Sequence, residues 1–149
     1  MNRKKHLLLC LTLLFMVFIF VQSSLPADLS QQESGPFSMF VMKLLPIDKD
    51  TASFLVRKCA HFTEYLLLGI CLLLTLREWV SPPKSGLFLT LLAWGIGTFY
   101  ALSDEFHQAF VPERSCELRD IIIDSLGVLT GIVIITLILR FRSRQKSSR

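Results

Sequence analysis

Hydrophobic residues are concentrated in four blocks along the chain, separated by shorter polar stretches. The blocks run from Leu7 to Val21, Cys59 to Leu76, Leu87 to Leu102 and Ile121 to Leu139. A helix needs about 20 apolar residues to cross the hydrocarbon core of a bilayer, and the shorter blocks reach that length with their flanks. The pattern predicts an all-α fold: a small polytopic helical membrane bundle with about four transmembrane helices.

The overall composition agrees with a lipid environment. Hydrophobic residues make up 52% of the 149 residues and charged residues 19%, and the mean hydropathy is +0.52, which is high for a soluble domain. A soluble helical bundle would require polar stripes at helical spacing, but the stretch from Ile132 to Leu139 offers only Thr136. The soluble alternative is therefore disfavoured.

The length allows a single membrane domain, which we assign to residues 1–149. Its predicted segments are a first helix or signal anchor at 7–23, further spans at 57–76, 86–110 and 119–140 with their polar outer ends, and a basic cytoplasmic tail at 141–149. The first block also resembles a cleaved signal peptide, because basic residues precede it and Val21-Gln22-Ser23 resembles a cleavage site. We favour an uncleaved anchor, and both cases place the residues after Ser24 outside.

Basic residues indicate the orientation of the bundle, because they cluster in cytoplasmic segments of membrane proteins. Most of the sixteen belong to the expected inner side: Arg3, Lys4, Lys5, Arg77, Lys84, Arg140, Arg142, Arg144, Lys146 and Arg149. We therefore expect a multi-pass protein of the cell membrane with both termini in the cytoplasm. Ser24 to Val56 and Val111 to Leu118 would lie outside, and Arg77 to Lys84 inside. We expect the basic tail to contact membrane lipids, and we expect no nucleic acid as a partner.

The outer segment before the second span allows only a coarse prediction. Pro26, Gly35 and Pro36 predict irregular backbone there. The apolar stretch from Phe37 to Leu45 is too short to span, so we expect it to lie in the membrane interface or to pack on the bundle.

Four cysteines add little about function. Cys10 and Cys71 lie in apolar spans and are expected to be small buried residues. Cys59 and Cys116 lie near the outer face, where a disulfide bond is possible in an oxidising compartment.

Polar and ionisable residues gather at the outer ends of the last three spans. Of the twelve acidic residues only Glu78 falls on the inner side, an asymmetry that we interpret as functional. The candidate binding or functional residues, here called the polar cluster, are Arg57, Lys58, His61, Glu64, Tyr65, Asp104, Glu105, His107, Gln108, Arg114, Arg119, Asp120 and Asp124. Ionisable groups inside a span are costly, so they normally face the bundle and find partners. We expect eight of these residues to converge on one outward-opening polar pocket formed by the second, third and fourth spans: Arg57, His61, Glu64, Asp104, Gln108, Arg114, Asp120 and Asp124.

A stripe along the last span joins this cluster to a packing surface. Asp120, Asp124, Gly127 and Gly131 follow one another at spacings that keep them on one helix face. Two glycines four residues apart allow a neighbouring helix to approach closely. Gly127 and Gly131 are therefore predicted to contact another helix.

These residues resemble the pattern of the VanZ-like family. Its elements appear here as Arg57, Lys58, His61, Phe62, Glu64 and Tyr65, then Asp104, Glu105, Gln108, Pro112 and Arg114, then Asp120 and Asp124. The resemblance runs from about Ser23 to Gly131, with Ser24 and Pro26 similar to the family's polar break after the first helix. Glu113 departs from the family, which often has glycine there. The resemblance implies a helical membrane protein of a family named for low-level teicoplanin resistance, and it implies no settled mechanism.

Two functions of different classes remain open at the level of the sequence. The favoured one is binding or modulation of a cell-envelope component, such as an anionic lipid-linked or glycopeptide-related molecule, by Arg57, Lys58, Arg114 and Arg119. The alternative is a membrane-embedded enzyme that uses the His, Asp and Glu residues for acid/base or metal-assisted chemistry on a lipid-linked substrate. A purely structural polar network and a transport pathway are less favoured. No cofactor is expected, and no metal, because carboxylate-bridged metal bundles use Glu-x-x-His pairs that are missing here.

Overall fold

Helices account for most of the structure. The computed structural model describes residues 3–80, 85–112, 114 and 116–147, with the side chains of 27–34 and 147 left aside. In this part of the chain the helices are α1 (Arg3–Ser23), α2 (Ala27–Leu44), α3 (Lys49–Trp79), α4 (Gly86–Gln108) and α5 (Leu118–Ser147), and no strand occurs. The predicted all-α fold is confirmed.

Four of the described helices, α1, α3, α4 and α5, are long and apolar enough to cross a membrane. Their outward surfaces carry large exposed apolar side chains, including Leu14, Phe99 and Leu137. Such surfaces suit hydrocarbon, where a helix satisfies its own backbone polar groups. The predicted polytopic bundle with about four spans is confirmed.

The central helix of the bundle is α3, which packs against all the other helices and most extensively against α5. Small residues allow this packing. A Cβ atom added at Gly69 would lie 2.3 Å from the carbonyl oxygen of Val128, and one added at Gly97 would lie 2.7 Å from Cγ1 of Val128. Val128 is fully buried between α3 and α4 as a result.

The glycine stripe of α5 faces α3. A Cβ atom at Gly127 would lie 2.6 Å from the carbonyl oxygen of Phe62, and one at Gly131 would lie 2.0 Å from that of Leu66. Both distances are too short for a methyl group, so the two backbones are in direct contact. The same face carries Asp124 into the interior of the bundle.

Two helices extend beyond the predicted spans. Instead of starting at position 57, α3 begins at Lys49, where Asp48 accepts hydrogen bonds from the Thr51 backbone N–H (2.9 Å) and Oγ1 (2.6 Å). Both bonds lower the pKa of the Asp48 carboxyl, and the bond from the Thr51 hydroxyl has the larger effect. The bond from the backbone N–H caps the helix. At the other end of the chain, α5 continues to Ser147, so most of the segment predicted as a tail is helical.

The sequence predicted irregular backbone around Gly35 and Pro36. This prediction is wrong, because α2 runs through both residues. A proline inside a helix removes one hydrogen bond and is normally unfavourable. Here the helix is held by its packing on α3, with Ser38 buried while Phe37 and Phe40 are exposed. A helix with a polar side chain facing the bundle and apolar side chains facing away from it suits a position at a membrane interface.

The helix ends gather at two opposite ends of the bundle. At one of them Lys4 forms an ion pair with Glu78, and the indole N–H of Trp79 donates to the carbonyl oxygen of Lys5 (3.0 Å). The starts of α1 and α4 and the ends of α3 and α5 lie here, and we call this the basic end. The polar cluster lies at the other end.

Candidate functional site

Asp104 on α4 is the centre of a hydrogen-bond network and is only 2% exposed. Its Oδ2 atom accepts hydrogen bonds from the Ser23 hydroxyl (2.7 Å), the Tyr65 hydroxyl (3.2 Å) and the Gln108 amide (3.3 Å). The donors come from α1, α3 and α4. One carboxyl group therefore fixes three helices relative to one another at the polar end.

The first helix belongs to the site, which the sequence did not predict. Ser23 is fully buried at the end of α1 and donates to Asp104. The next residue, Ser24, lies within hydrogen-bond distance of Nε2 of His107 (3.1 Å), and the Phe20 ring lies 4.5 Å from the His107 ring. The sequence signal is a pair of serines directly after an apolar run, a pattern that also fits a cleavage site at Ser23 and a polar break at Ser24.

Gln108 connects the buried network to a cation near the surface. Its amide nitrogen contacts Asp104, and its Oε1 accepts a hydrogen bond from Nη1 of Arg114 (3.2 Å). Arg114 follows α4 and is partly buried. Burial is the main cause that lowers the pKa of Arg114, and the positive charge of the nearby Arg57 guanidinium lowers it further. Both effects disfavour its charged form, and a bound anion would relieve them.

A second group of contacts joins α3 to the start of α5. Lys58 forms an ion pair with both carboxylate oxygens of Asp120. Arg119 pairs with Glu117 at 2.7 Å in a more exposed position. The Phe54 ring lies 5.1 Å from the Lys58 ammonium and 5.0 Å from the Arg119 guanidinium. These two cations of the polar cluster are therefore already matched by carboxylates.

Glu105 anchors the segment between α4 and α5. Its side chain is 1% exposed, and its Oε2 accepts a hydrogen bond from the backbone N–H of Glu117 (2.9 Å). This bond satisfies a backbone group just before the first turn of α5. Glu105 therefore positions the start of the helix that carries Asp120 and Asp124.

Three remaining ionisable residues lie between these two groups. Asp124 is 0% exposed, and neither of its carboxyl oxygens has a hydrogen-bond partner within the described part of the chain. The same holds for Nδ1 of His61. Asp124 interacts electrostatically with Glu64 and Asp104, and His61 interacts with Asp104 and Arg114. Asp124 and His61 are therefore electrostatically coupled to the residues around Asp104.

The interior of the cluster is closely packed rather than open. Asp104, Glu105, Gln108 and Asp124 are all at most 4% exposed, so these four side chains lie in the interior of the bundle. Hydrogen-bond donors surround Oδ2 of Asp104. In contrast, Oδ1 of Asp104, Oε1 of Glu105 and both carboxyl oxygens of Asp124 are buried without a partner among the described residues. Arg57 and Arg114 are partly exposed at the edge of the cluster.

Two cluster-related predictions concern cysteines and metals. Cys59 and Cys116 are both free thiols in the structure, so the disulfide considered from the sequence is not formed. Among the residues with described positions, no group of three His, Cys, Asp or Glu side chains is arranged to hold a metal ion.

Four apolar spans with a buried polar network at one end define a multi-pass membrane protein. The model of the VanZ/LLP1 family matches residues 8–140. Since this match covers most of the chain, the protein belongs to the VanZ/LLP1 family, as the resemblance implied. Comparisons with curated proteins and with solved structures gave no match.

Proposed function

We propose that the polar end binds or modulates an anionic component of the cell envelope. The anionic group is held at the edge of the polar cluster by Arg57 and Arg114. The buried network positions Arg114 through Gln108. A lipid-linked phosphate or carboxylate is the chemistry that two adjacent guanidinium groups recognise, because each can form two parallel charge-assisted hydrogen bonds.

The observation that carries this proposal is the connection from Asp104 through Gln108 to Arg114. A guanidinium that served only to neutralise a carboxylate would be expected to contact one directly. Arg114 instead contacts a neutral amide oxygen and lies close to Arg57. Two cations that repel each other, one of them held by the buried network, favour a site for an external anion.

The ion pairs at the polar end narrow the choice of residues that could bind the anion. Lys58 and Arg119 were also considered as anion-binding residues, but they pair with Asp120 and Glu117. Neither Arg57 nor Arg114 forms an ion pair with any described side chain. Arg57 and Arg114 are therefore the two cations of the polar cluster without a direct carboxylate contact from a described residue.

Growth in the presence of teicoplanin tests the role of Arg114. The family resemblance suggests a link to resistance against this glycopeptide, so protection of a sensitive host is the phenotype to measure. Arg114→Gln should abolish protection while the amount of protein in the membrane stays at the wild-type level. Arg114→Lys should retain part of the effect, because the charge remains but the bidentate geometry is lost.

Arg119→Gln is the matched control for this growth test. It removes the same charge from an exposed arginine that already has a carboxylate partner, so protection should be kept. If Arg114→Gln protects as well as the wild type at equal abundance, the proposed role of Arg114 is wrong.

A catalytic function is the second candidate, and one observation favours it. Asp124 and Nδ1 of His61 are buried polar groups without a partner in the described structure. Such groups usually have a hydrogen-bond partner, and a substrate reaching into the cluster would supply one. In that case the envelope component would be processed after binding, with these residues as acid and base.

We further propose that the polar end faces outward and that the basic end and both termini are cytoplasmic. The distribution of basic residues supports this orientation, and the contact of Ser23 with Asp104 favours an uncleaved first helix. In a variant whose only cysteine is the native Cys116, a membrane-impermeant thiol reagent should label intact cells. A variant with Lys146→Cys as its only cysteine should react only after permeabilisation, and the reverse pattern would contradict the orientation.

A further inference from the structure

A cavity of about 560 Å³ opens at the basic end, away from the polar cluster. It lies where α3, α4 and α5 diverge. Leu73 and Leu89 form buried walls, whereas Leu87 at its margin is 69% exposed. The volume is in the range of sites for small organic molecules. The cavity therefore combines a sheltered apolar interior with an opening on the surface of the bundle.

Two arginines line the same cavity. Arg77 comes from the last turns of α3, and Arg140 from the corresponding part of α5. Neither forms an ion pair within the described part of the chain, and Glu78, the acidic residue nearest in sequence, pairs with Lys4. None of the described lining residues is acidic. The cavity therefore has positive charge without an internal counter-charge.

The remaining polar groups of the cavity also suit an anion. Gly86 and Leu87 at the start of α4 line the cavity, and first-turn N–H groups have no acceptor within their own helix. The positive end of the helix dipole adds to this potential. Thr90 and Thr136, which carry hydroxyl groups, also line the cavity. An anionic headgroup would meet donors from three helices.

We propose that this cavity is a binding site for one anionic phospholipid. The phosphate would lie between Arg77 and Arg140 near the start of α4, and an acyl chain would lie along Leu73, Leu87 and Leu89. The apolar walls favour a lipid over a free phosphate, which would leave those walls in contact with water. The site is separate from the polar end, so it stands whether or not the proposed function is correct.

Native mass spectrometry of the full-length protein in neutral detergent tests this proposal. The probes are phosphatidylglycerol, phosphatidylcholine and inorganic phosphate, each added to delipidated protein. We expect one phosphatidylglycerol to be retained in preference to phosphatidylcholine, and no displacement by inorganic phosphate. The double variant Arg77→Gln/Arg140→Gln should reduce this retention by roughly 5- to 30-fold, given the electrostatic contribution of one or two arginines.

The control is Arg142→Gln/Arg144→Gln, which removes two charges from the same end of α5 but from residues that do not line the cavity. This control variant should retain phosphatidylglycerol as the wild type does. The wild type and the two double variants should have the same thermal stability. Equal losses in both double variants would show general attraction by the basic helix and would overturn the proposal. Equal retention of both phospholipids, or displacement by inorganic phosphate, would overturn it too.

Discussion

Replacing Gly131 with alanine is expected to destabilise the bundle strongly, although the change adds only one methyl group. The new Cβ atom would lie 2.0 Å from the carbonyl oxygen of Leu66, which is backbone and cannot rotate away. The contact between α3 and α5, the most extensive in the protein, must therefore open. Overpacking of this kind costs roughly 1–3 kcal/mol, measurable as a lower thermal midpoint in detergent.

Gly95→Ala on α4 is the matched control for this change. A Cβ atom at Gly95 would meet no other atom within 4 Å, so only helix propensity changes, and alanine is favoured by up to about 1 kcal/mol. Its thermal midpoint should equal or exceed that of the wild type. If Gly131→Ala were as stable as Gly95→Ala, the glycine stripe of α5 would not face α3.

Replacement of two buried aspartates by valine is expected to change the stability of the protein very differently. Asp104→Val removes the acceptor of Ser23, Tyr65 and Gln108. The Gln108 amide keeps its contact with the Ser23 hydroxyl oxygen (3.4 Å), whereas the buried Ser23 and Tyr65 hydroxyl groups lose their acceptor. Each such donor costs roughly 1–3 kcal/mol, so the total loss should be about 2 kcal/mol or more. Asp124→Val removes a carboxyl group whose oxygens have no partner among the described residues, and it should leave stability unchanged or raise it.

Thermal unfolding in detergent, with all three proteins at equal concentration, measures this difference. A fully stable Asp104→Val variant would show that Asp104 does not organise the network. Equal losses in the two variants would contradict the distinction between Asp104, whose Oδ2 accepts three hydrogen bonds, and Asp124, whose oxygens accept none from the described residues. Retained stability together with lost protection against teicoplanin in Asp124→Val would assign Asp124 to function rather than to folding.

Hydrophobic patterning was sufficient to predict the spans, because a membrane helix is specified by its length and apolar character. The four blocks correspond to α1, α3, α4 and α5. The start of α3 was missed even though a signal was present: Asp48 precedes Thr51 at the spacing of a helix cap. The helical course of α2 was not predictable from local sequence, because Pro36 opposes it and packing on α3 sustains it.

The polar cluster was predictable as a set of residues but not as a set of contacts. Periodicity places Asp104 and Gln108 on one face of α4, yet it does not determine how each helix is rotated against its neighbours. The pairing of Lys58 with Asp120 therefore required the structure, as did the part played by Ser23. The cavity between Arg77 and Arg140 depends on how far three helices diverge, which no local pattern encodes.

Mass spectrometry of compounds that copurify with the protein from its own membrane tests the central claim most directly. An anionic lipid-linked compound should accompany the wild type and the Arg119→Gln control, and the double variant Arg57→Gln/Arg114→Gln should lose it by at least about tenfold, given the strength of charge-assisted hydrogen bonds. Recovery of a chemically altered form of that compound would favour catalysis at the same site. Equal recovery from the wild type and the double variant, or no anionic compound from the wild type, would contradict the claim that Arg57 and Arg114 bind an envelope component.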